Sequence, residues 1–86
     1  MRSYVVAVWD SAVGAFNRPF YAPSLGAAIR SFSDEVNRVA EDNPLSKHSD
    51  DFHLSYLADF DEESGVFYAP ESGVRVLSRG KDVRHE

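Results

Sequence analysis

The side chains best suited to chemistry in this chain are arginines and aromatic rings. Guanidinium groups bind phosphate, and aromatic rings stack on nucleic-acid bases. Arg18 lies close before Phe20 and Tyr21, so a cation and a stacking plane adjoin in the sequence. The carboxylates concentrate elsewhere, in segments 41–51 and 59–63. The candidate residues for binding a nucleic acid are therefore Arg18, Tyr21, Arg30, Arg38, Arg75, Arg79, Lys81 and Arg84.

One of these arginines has a second interpretation. Arg30 follows the apolar Ile29 and precedes Phe32 by two residues, near the boundary of an apolar stripe. An arginine in that position either forms an ion pair with a neighbouring acid or contacts a phosphate. The sequence leaves both roles open.

No group of residues typical of an active site occurs in the chain. There are no cysteines, which excludes disulfides, thiol nucleophiles and cysteine-based zinc sites. The three histidines are scattered, and the spacing of a calcium-binding EF-hand loop is absent. The carboxylate clusters fit turn chemistry and solubility. The sequence therefore predicts a protein that is not an enzyme and needs no metal or other cofactor.

The charge of the chain is negative and unevenly distributed. The 86 residues carry a formal net charge of −5, which argues against a generic nucleic-acid coat. Residues 1–74 hold five basic and twelve acidic residues, whereas residues 75–86 hold four basic and two acidic ones. We expect one domain over residues 1–70 and a polar C-terminal tail over 71–86. No apolar run approaches the roughly 20 residues of a membrane span, so we expect a protein of the cytoplasm with no membrane partner.

A long amphipathic helix is predicted between Ser24 and Ala40. Apolar residues recur there at intervals of three and four, the spacing of one buried helical face. Ser24 is the expected N-cap because its hydroxyl can accept a hydrogen bond from an unpaired backbone N–H. Asp34 lies four residues before Arg38, which favours an ion pair on the exposed face. The helix is expected to stop before Pro44, which disfavours helical geometry in the preceding residue.

Two strands are predicted before the helix. Residues 4–9 form a β-branched and aromatic run typical of a strand. Residues 10–14 form a tight connection, after which residues 15–21 return beside the first strand. Pro19 restricts this second strand to an edge or to an early exit from the sheet, because proline cannot donate a ladder hydrogen bond.

Two further strands are predicted after the helix. Residues 52–60 alternate in polarity, so Phe52 and Phe60 are expected on one face and His53 on the other. Residues 66–69 return after a turn. The two predicted hairpins share the same spacing of aromatic, Asp and Gly residues, which fits either an internal duplication or convergence on a common turn.

These elements predict an α+β fold in the order β-β-α-β-β. Four antiparallel strands would form the sheet, and one amphipathic helix would pack on one face of it. The chain has more aromatic residues than one helix can cover, and the sheet would have unpaired edges. Both features predict a homodimer.

Several short motifs occur together and in order across most of residues 4–70. They are Pro19-Phe20, Ala28-Ile29-Arg30-x-Phe32, Asp51-Phe52-x-Leu54 and Phe60-Asp61-x-x-x-Gly65. This ordered set resembles the small nonstructural protein of gokushovirus-type microviruses, which are small single-stranded DNA phages. The sequence departs from that pattern at Ser55, where a tyrosine is frequent, and this removes one outward aromatic ring.

The resemblance implies a DNA-binding protein that acts in the switch from genome replication to packaging in the host cytoplasm. Single-stranded DNA would then be its partner. The negative charge favours a second function class, an acidic adaptor that docks on the phage replication protein or the procapsid without touching DNA.

Overall fold

Two long antiparallel strands form the centre of the structure. The computed structural model of the protein describes residues 1–85. Strand β1 (Arg2–Asp10) pairs along its whole length with β4 (Phe52–Asp61). Both strands are rich in β-branched and aromatic residues, which pack well on a pleated surface. The other strands are added on either side of this pair.

Each edge of the central pair is shared by two short strands. Strands β2 (Ala15–Phe16) and β3 (Phe20–Ala22) pair with β1, and strands β5 (Phe67–Tyr68) and β6 (Arg75–Arg79) pair with β4. Pro19 interrupts the first edge because it has no N–H to donate. The antiparallel α+β class is confirmed. The predicted count of four strands and one helix is wrong, because residues 1–85 contain six strands, in four positions, and three helices.

The main helix, α1 (Leu25–Asn37), packs on one face of the sheet. Its N-cap is Ser24, as predicted, and the Ser24 hydroxyl accepts a hydrogen bond from the N–H of Ala27 at 3.0 Å. The apolar stripe of the helix meets side chains from both central strands. This core contains Val6, Ala22, Ala28, Phe32, Val36, Phe52 and Leu54.

Helix α1 ends three residues earlier than the apolar stripe predicts, because a side chain from the following loop terminates it. Asn43 is only 1% exposed. Its amide Nδ2 donates to the backbone oxygens of Glu35 at 2.8 Å and Arg38 at 2.7 Å. Its Oδ1 accepts from the N–H of Leu45 at 3.2 Å. One buried side chain therefore caps the end of α1 and the start of the next helix.

Residues 71–86, predicted as a polar tail, contain β6 and a short helix, α3 (Gly80–Val83). The side chain of Asn37 in α1 donates to the last carbonyl of α3 at 2.8 Å and accepts from the N–H of His85 at 2.7 Å. The C-terminal segment is thus attached to both the sheet and the main helix. Glu86, the last residue of the predicted tail, lies outside the described residues.

A β-bulge in β4 changes which side chains share a face. Successive residues of β1 pair with Ala58 and Tyr56, which leaves Leu57 without a partner on β1. Because one extra residue shifts the alternation, side chains beyond the bulge point to the opposite side. Phe60 therefore lies on the face opposite Phe52, and the prediction that they share a face is wrong.

The sheet has one face that the helices cover and one that they leave uncovered. Leu45, from the short helix α2 (Pro44–Lys47), and Val83 of α3 pack on the same core as α1. All three helices of residues 1–85 therefore lie on one side, the helix face. The opposite side, which carries Trp9, Phe60 and their neighbours, is called the open face. No helix within residues 1–85 has the length and apolarity to cross a membrane.

Candidate nucleic-acid interface

The helix face ends in a patch that combines arginine and tyrosine side chains. This tyrosine–arginine patch consists of Arg2, Tyr4, Tyr56, Tyr68 and Arg75. The strand register brings its members together: Tyr4 and Tyr68 pair with Asp59 from opposite sides, and Arg75 pairs with Tyr56. The patch lies beyond the core, at the end of the sheet where β1 begins and β4 ends.

The two cations of the patch lie over tyrosine rings. The guanidinium carbon of Arg2 is 4.3 Å from the ring centroid of Tyr68, and that of Arg75 is 5.8 Å from the ring centroid of Tyr56. The rings of Tyr4 and Tyr56 meet edge to face at 5.8 Å. Tyr68 remains 41% exposed. Cations above aromatic faces are favourable contacts, and they keep the rings and charges at one surface.

One carboxylate orients the patch. The Tyr56 hydroxyl donates a hydrogen bond to Asp59, and a guanidinium nitrogen of Arg2 lies 3.6 Å from the other oxygen of the same carboxylate. The hydrogen bond to Asp59, followed by burial, raises the pKa of Tyr56 to about 12. The Tyr56 phenol therefore stays neutral at physiological pH, with its ring held between Tyr4 and Arg75.

The open face carries two clusters of rings, one at each end. The rings belong to Trp9, Phe16, Tyr21, His53, Phe60 and Phe67. At one end, the ring centroid of Trp9 lies 5.0 Å from that of Phe16 and 6.3 Å from that of His53, on which the Trp9 ring stacks. At the other end, the ring centroid of Phe60 lies 5.7 Å from that of Tyr21 and 4.8 Å from that of Phe67. The face is therefore mainly apolar.

A pocket of about 300 Å³ opens beside Trp9 at one end of the open face. Arg79 and Lys81 line it together with His53, and so do the carboxylates Asp50 and Asp51. Burial, assisted by the nearby charge of Arg79, lowers the pKa of His53, so this imidazole is neutral at pH 7. The two cations are thus offset by two carboxylates, which makes the pocket a weaker polyanion site than its arginine suggests.

Comparison with known proteins identifies the family. The model of the family described as Phage ORF5 protein matches residues 3–83. The chain belongs to this family. Protein ORF5 of Chlamydia phage 1 is 29% identical over 84 residues, which cover 94% of this chain and 88% of that protein. These matches confirm the resemblance to the small nonstructural protein of microviruses. No solved structure matches the chain.

In this Phage ORF5 family member, the arginines predicted to bind DNA on the helix and the first edge lie apart from the patch. Arg18 is exposed in the loop between β2 and β3, and Arg30 is exposed on α1. Neither makes a salt bridge with any of residues 1–85. A guanidinium nitrogen of Arg38 lies 2.6 Å from a carboxylate oxygen of Glu35. The predicted ion pair between Arg38 and Asp34 is therefore wrong. The helix ends just before Arg38, which lets its guanidinium reach back one turn.

The remaining predicted residues divide between the two faces. Tyr21 lies on the open face, and Arg79 and Lys81 meet in the pocket there. Arg75 belongs to the tyrosine–arginine patch. Arg84 lies beyond α3 and donates to the carbonyl of the next residue at 3.1 Å. The structure therefore joins only two of the eight predicted residues, Arg79 and Lys81, in one pocket.

Four residues of the patch escape the sequence-based prediction: Arg2, Tyr4, Tyr56 and Tyr68. Alternation from the core residue Val6 would have placed Tyr4 on the helix face. The remaining contacts depend on the register between β1 and β4 and on the bulge between them, which a single sequence does not show. Cross-strand pairing is therefore the signal that defines this surface.

Ser55 provides a test of how the open face is packed. Its hydroxyl is buried and has no hydrogen-bond partner among residues 1–85. An unpaired buried hydroxyl costs about 1–3 kcal/mol. We expect Ser55→Ala to raise the free energy of unfolding by about 1 kcal/mol in urea denaturation followed by circular dichroism. The control is Ser72→Ala, at an exposed serine outside the helices, which should leave the free energy of unfolding nearly unchanged; equal gains from both variants would contradict the assignment of a partnerless Ser55 hydroxyl.

Proposed function

We propose that this protein binds single-stranded DNA through the tyrosine–arginine patch and acts without catalysis in the phage switch from genome replication to packaging. The observation that carries the proposal is the alternation of exposed cations and rings on one surface, with Arg2 over Tyr68 and Arg75 over Tyr56. Proteins that hold single strands combine phosphate-binding cations with stacking planes in this way. Membership of a phage family supports the biological setting.

The chemistry of the patch suits unpaired bases. Tyr68 offers a partly exposed ring on which a base can stack, a contact typically worth about 1–3 kcal/mol. The side chain of Arg2 is 54% exposed, so it can shift from the ring to a phosphate without losing a buried position. A duplex hides its bases inside the stack, and the same rings would then have nothing to stack on. Single strands are therefore the favoured ligand.

The charge balance limits the electrostatic part of the affinity. Two guanidinium groups contribute to the patch, while Asp59 lies within it and Asp61 pairs with Arg2 across the strands. Two phosphate contacts correspond to a slope of about −1.4 in log affinity against log salt for a single strand. This shallow slope distinguishes the proposed site from a generic basic surface, whose slope would be several times steeper.

The test is fluorescence anisotropy with matched single- and double-stranded oligonucleotides across a salt series. We expect the single strand to bind more tightly. The double variant Arg2→Ala with Arg75→Ala should weaken binding about tenfold or more and bring the salt slope close to zero, since both phosphate contacts are removed. The matched control is Arg18→Ala with Arg30→Ala, which removes the same two charges away from the patch.

The control also separates two locations of the site. If the Arg18 and Arg30 double variant weakens binding and flattens the salt slope while the Arg2 and Arg75 double variant does not, DNA binds along α1 and the edge formed by β2 and β3 instead. Circular dichroism of each variant establishes that both pairs are folded. An unchanged slope in both double variants would contradict binding through any of these four arginines.

A second candidate function is favoured by the negative charge. The turn after β4 exposes Glu62 and Glu63, and the chain carries a net charge of −5. Such a surface suits an acidic adaptor that docks on a basic region of the phage replication protein or the procapsid. Absence of oligonucleotide binding at low salt would favour this function over DNA binding.

A further inference from the structure

We infer that the open face is the interface of a symmetric homodimer, in which a second copy packs face to face with its strands reversed end to end. The interface would bury the two ring clusters and leave the tyrosine–arginine patch of each copy accessible on the outer side. This inference does not depend on DNA binding, because the two surfaces lie on opposite faces of the sheet.

The open face leaves large apolar side chains uncovered. Phe16, Tyr21 and Phe67 are 40%, 56% and 57% exposed, and Val76 beside them is 42% exposed. All four share the open face, because they pair with residues whose side chains point away from the core. Contiguous exposed apolar patches of this kind mark interaction sites in proteins.

The open face is large enough for a dimer interface. Strand β1 has nine residues, so the face is about 30 Å long, and four strand positions make it about 19 Å wide. A second copy on this face would bury about 600 Å² per protomer and about 1,200 Å² in total, which is the lower limit for specific interfaces. This interface area is therefore sufficient for a dimer of moderate affinity, even if the two copies touch nowhere else.

The shape of the open face suits a second copy in the reversed orientation. The residues between the two ring clusters are small, and Val5, Ala7 and Ser55 are almost fully buried beneath their larger neighbours. A two-fold axis that runs between the two sheets, perpendicular to the strands and over these small residues, would place the Trp9 cluster of one copy over the Phe60 cluster of the other. Sheets that stack in this way lie about 10 Å apart and are nearly aligned. Large side chains would then fill both ends around a narrow centre.

Charged side chains at the two ends of the open face favour the reversed orientation. At one end, Glu62 reaches the open face, where its carboxylate accepts a hydrogen bond from the Ser3 hydroxyl at 2.6 Å. At the other end, Arg79 pairs with His53 and shares its face. Neither Glu62 nor Arg79 has a salt-bridge partner among residues 1–85. The reversed arrangement places the Arg79 end of each copy over the Glu62 end of the other, whereas the parallel arrangement would place ends of like charge over one another.

The first measurement is sedimentation equilibrium of the full chain over a wide concentration range. We expect a monomer–dimer equilibrium at micromolar concentrations, together with a blue shift of Trp9 emission as the dimer forms. Trp9 is the only tryptophan, so this signal reports on the open face alone. A monomer up to millimolar concentration would overturn the inference, and so would a dimer whose formation leaves Trp9 emission unchanged.

Charge reversal tests the symmetry. Arg79→Glu alone and Glu62→Arg alone should each raise the dissociation constant about tenfold or more, because each places like charges at both overlapping ends of the symmetric dimer. The double variant Arg79→Glu with Glu62→Arg should recover dimerisation. Arg30→Glu, on the helix face, is the matched control and should leave the dissociation constant unchanged.

A mixing experiment separates the two possible axes. In the reversed arrangement, the wild type and the double variant should form homodimers but not mixed dimers, because each mixed contact joins like charges. In the parallel arrangement, the mixed dimer would be favoured over both homodimers. Preferential mixing would therefore overturn the reversed geometry. Quenching of Trp9 emission by oligonucleotide in a persistent monomer would reassign the open face to DNA.

Discussion

Replacing Gly80 with alanine is expected to lower the free energy of unfolding by about 3 kcal/mol. Gly80 is buried at the start of α3, where the backbone crosses the 3-10 turn Ser49–Asp51. An added Cβ would collide with the carbonyl oxygen of Ser49 and would lie 3.2 Å from that of Phe52. Backbone atoms cannot rotate away as a side-chain end can, so α3 would have to move off the sheet. Thermal unfolding should show a loss of roughly 12 °C or more.

Gly26→Ala is the matched control for this substitution. Gly26 lies in the first turn of α1, and a Cβ there would meet only the hydroxyl of Ser24 at 4.0 Å. Alanine is the better helix former by up to about 1 kcal/mol, so this change should stabilise the protein slightly. The same chemical substitution is thus expected to act with opposite sign at the two positions. Similar midpoint temperatures of unfolding for Gly80→Ala and Gly26→Ala would contradict a C-terminal segment that packs tightly on the rest of the fold.

The main helix could be predicted because its information is local. Ser24 provides the cap, and apolar residues at three-and-four spacing provide the buried face, so the start of α1 and its orientation follow from neighbouring residues. The end of α1 could not be placed in the same way. It depends on the side chain of Asn43, which reaches back from the next loop to two helix carbonyls.

The C-terminal segment shows how tertiary contact overrides composition. Its mixture of arginines, serines and glycines is typical of a solvated tail, yet it pairs with β4 through β6. The pairing is possible because β4 is long enough to carry two partners along one edge. Gly80 permits the close backbone approach that follows. Neither property is visible in the segment itself.

The sequence indicated the types of residue that form the candidate site, but not which positions in the fold bring them together. Arginine beside an aromatic ring is the expected chemistry, and Arg75 belongs both to the predicted set and to the tyrosine–arginine patch. The other members meet through strand register, and the bulge at Leu57 decides which residues of β4 point toward them. A single inserted residue therefore moves Phe60 to one face and leaves Tyr56 on the other, which separates the apolar surface from the polar one.

Replacing Asn43 with alanine is expected to cost about 3 kcal/mol of stability, because three hydrogen bonds of one buried side chain are lost together. Two helix carbonyls would lose their donor, and Leu45 would lose the acceptor that starts α2. Urea denaturation followed by circular dichroism provides the measurement. Asn17→Ala is the matched control, because Asn17 is exposed and its side chain makes no hydrogen bond within residues 1–85.

This substitution also tests whether stability and binding are located at different ends of the molecule. Asn43 caps helices that pack near the Trp9 end of the sheet, through the 3-10 turn that leads into Phe52. The tyrosine–arginine patch lies at the other end of β4, so Asn43→Ala should keep its affinity for single-stranded DNA at temperatures where it remains folded. Loss of affinity in a folded Asn43→Ala variant, with Asn17→Ala unaffected, would show that the binding surface extends across the helices.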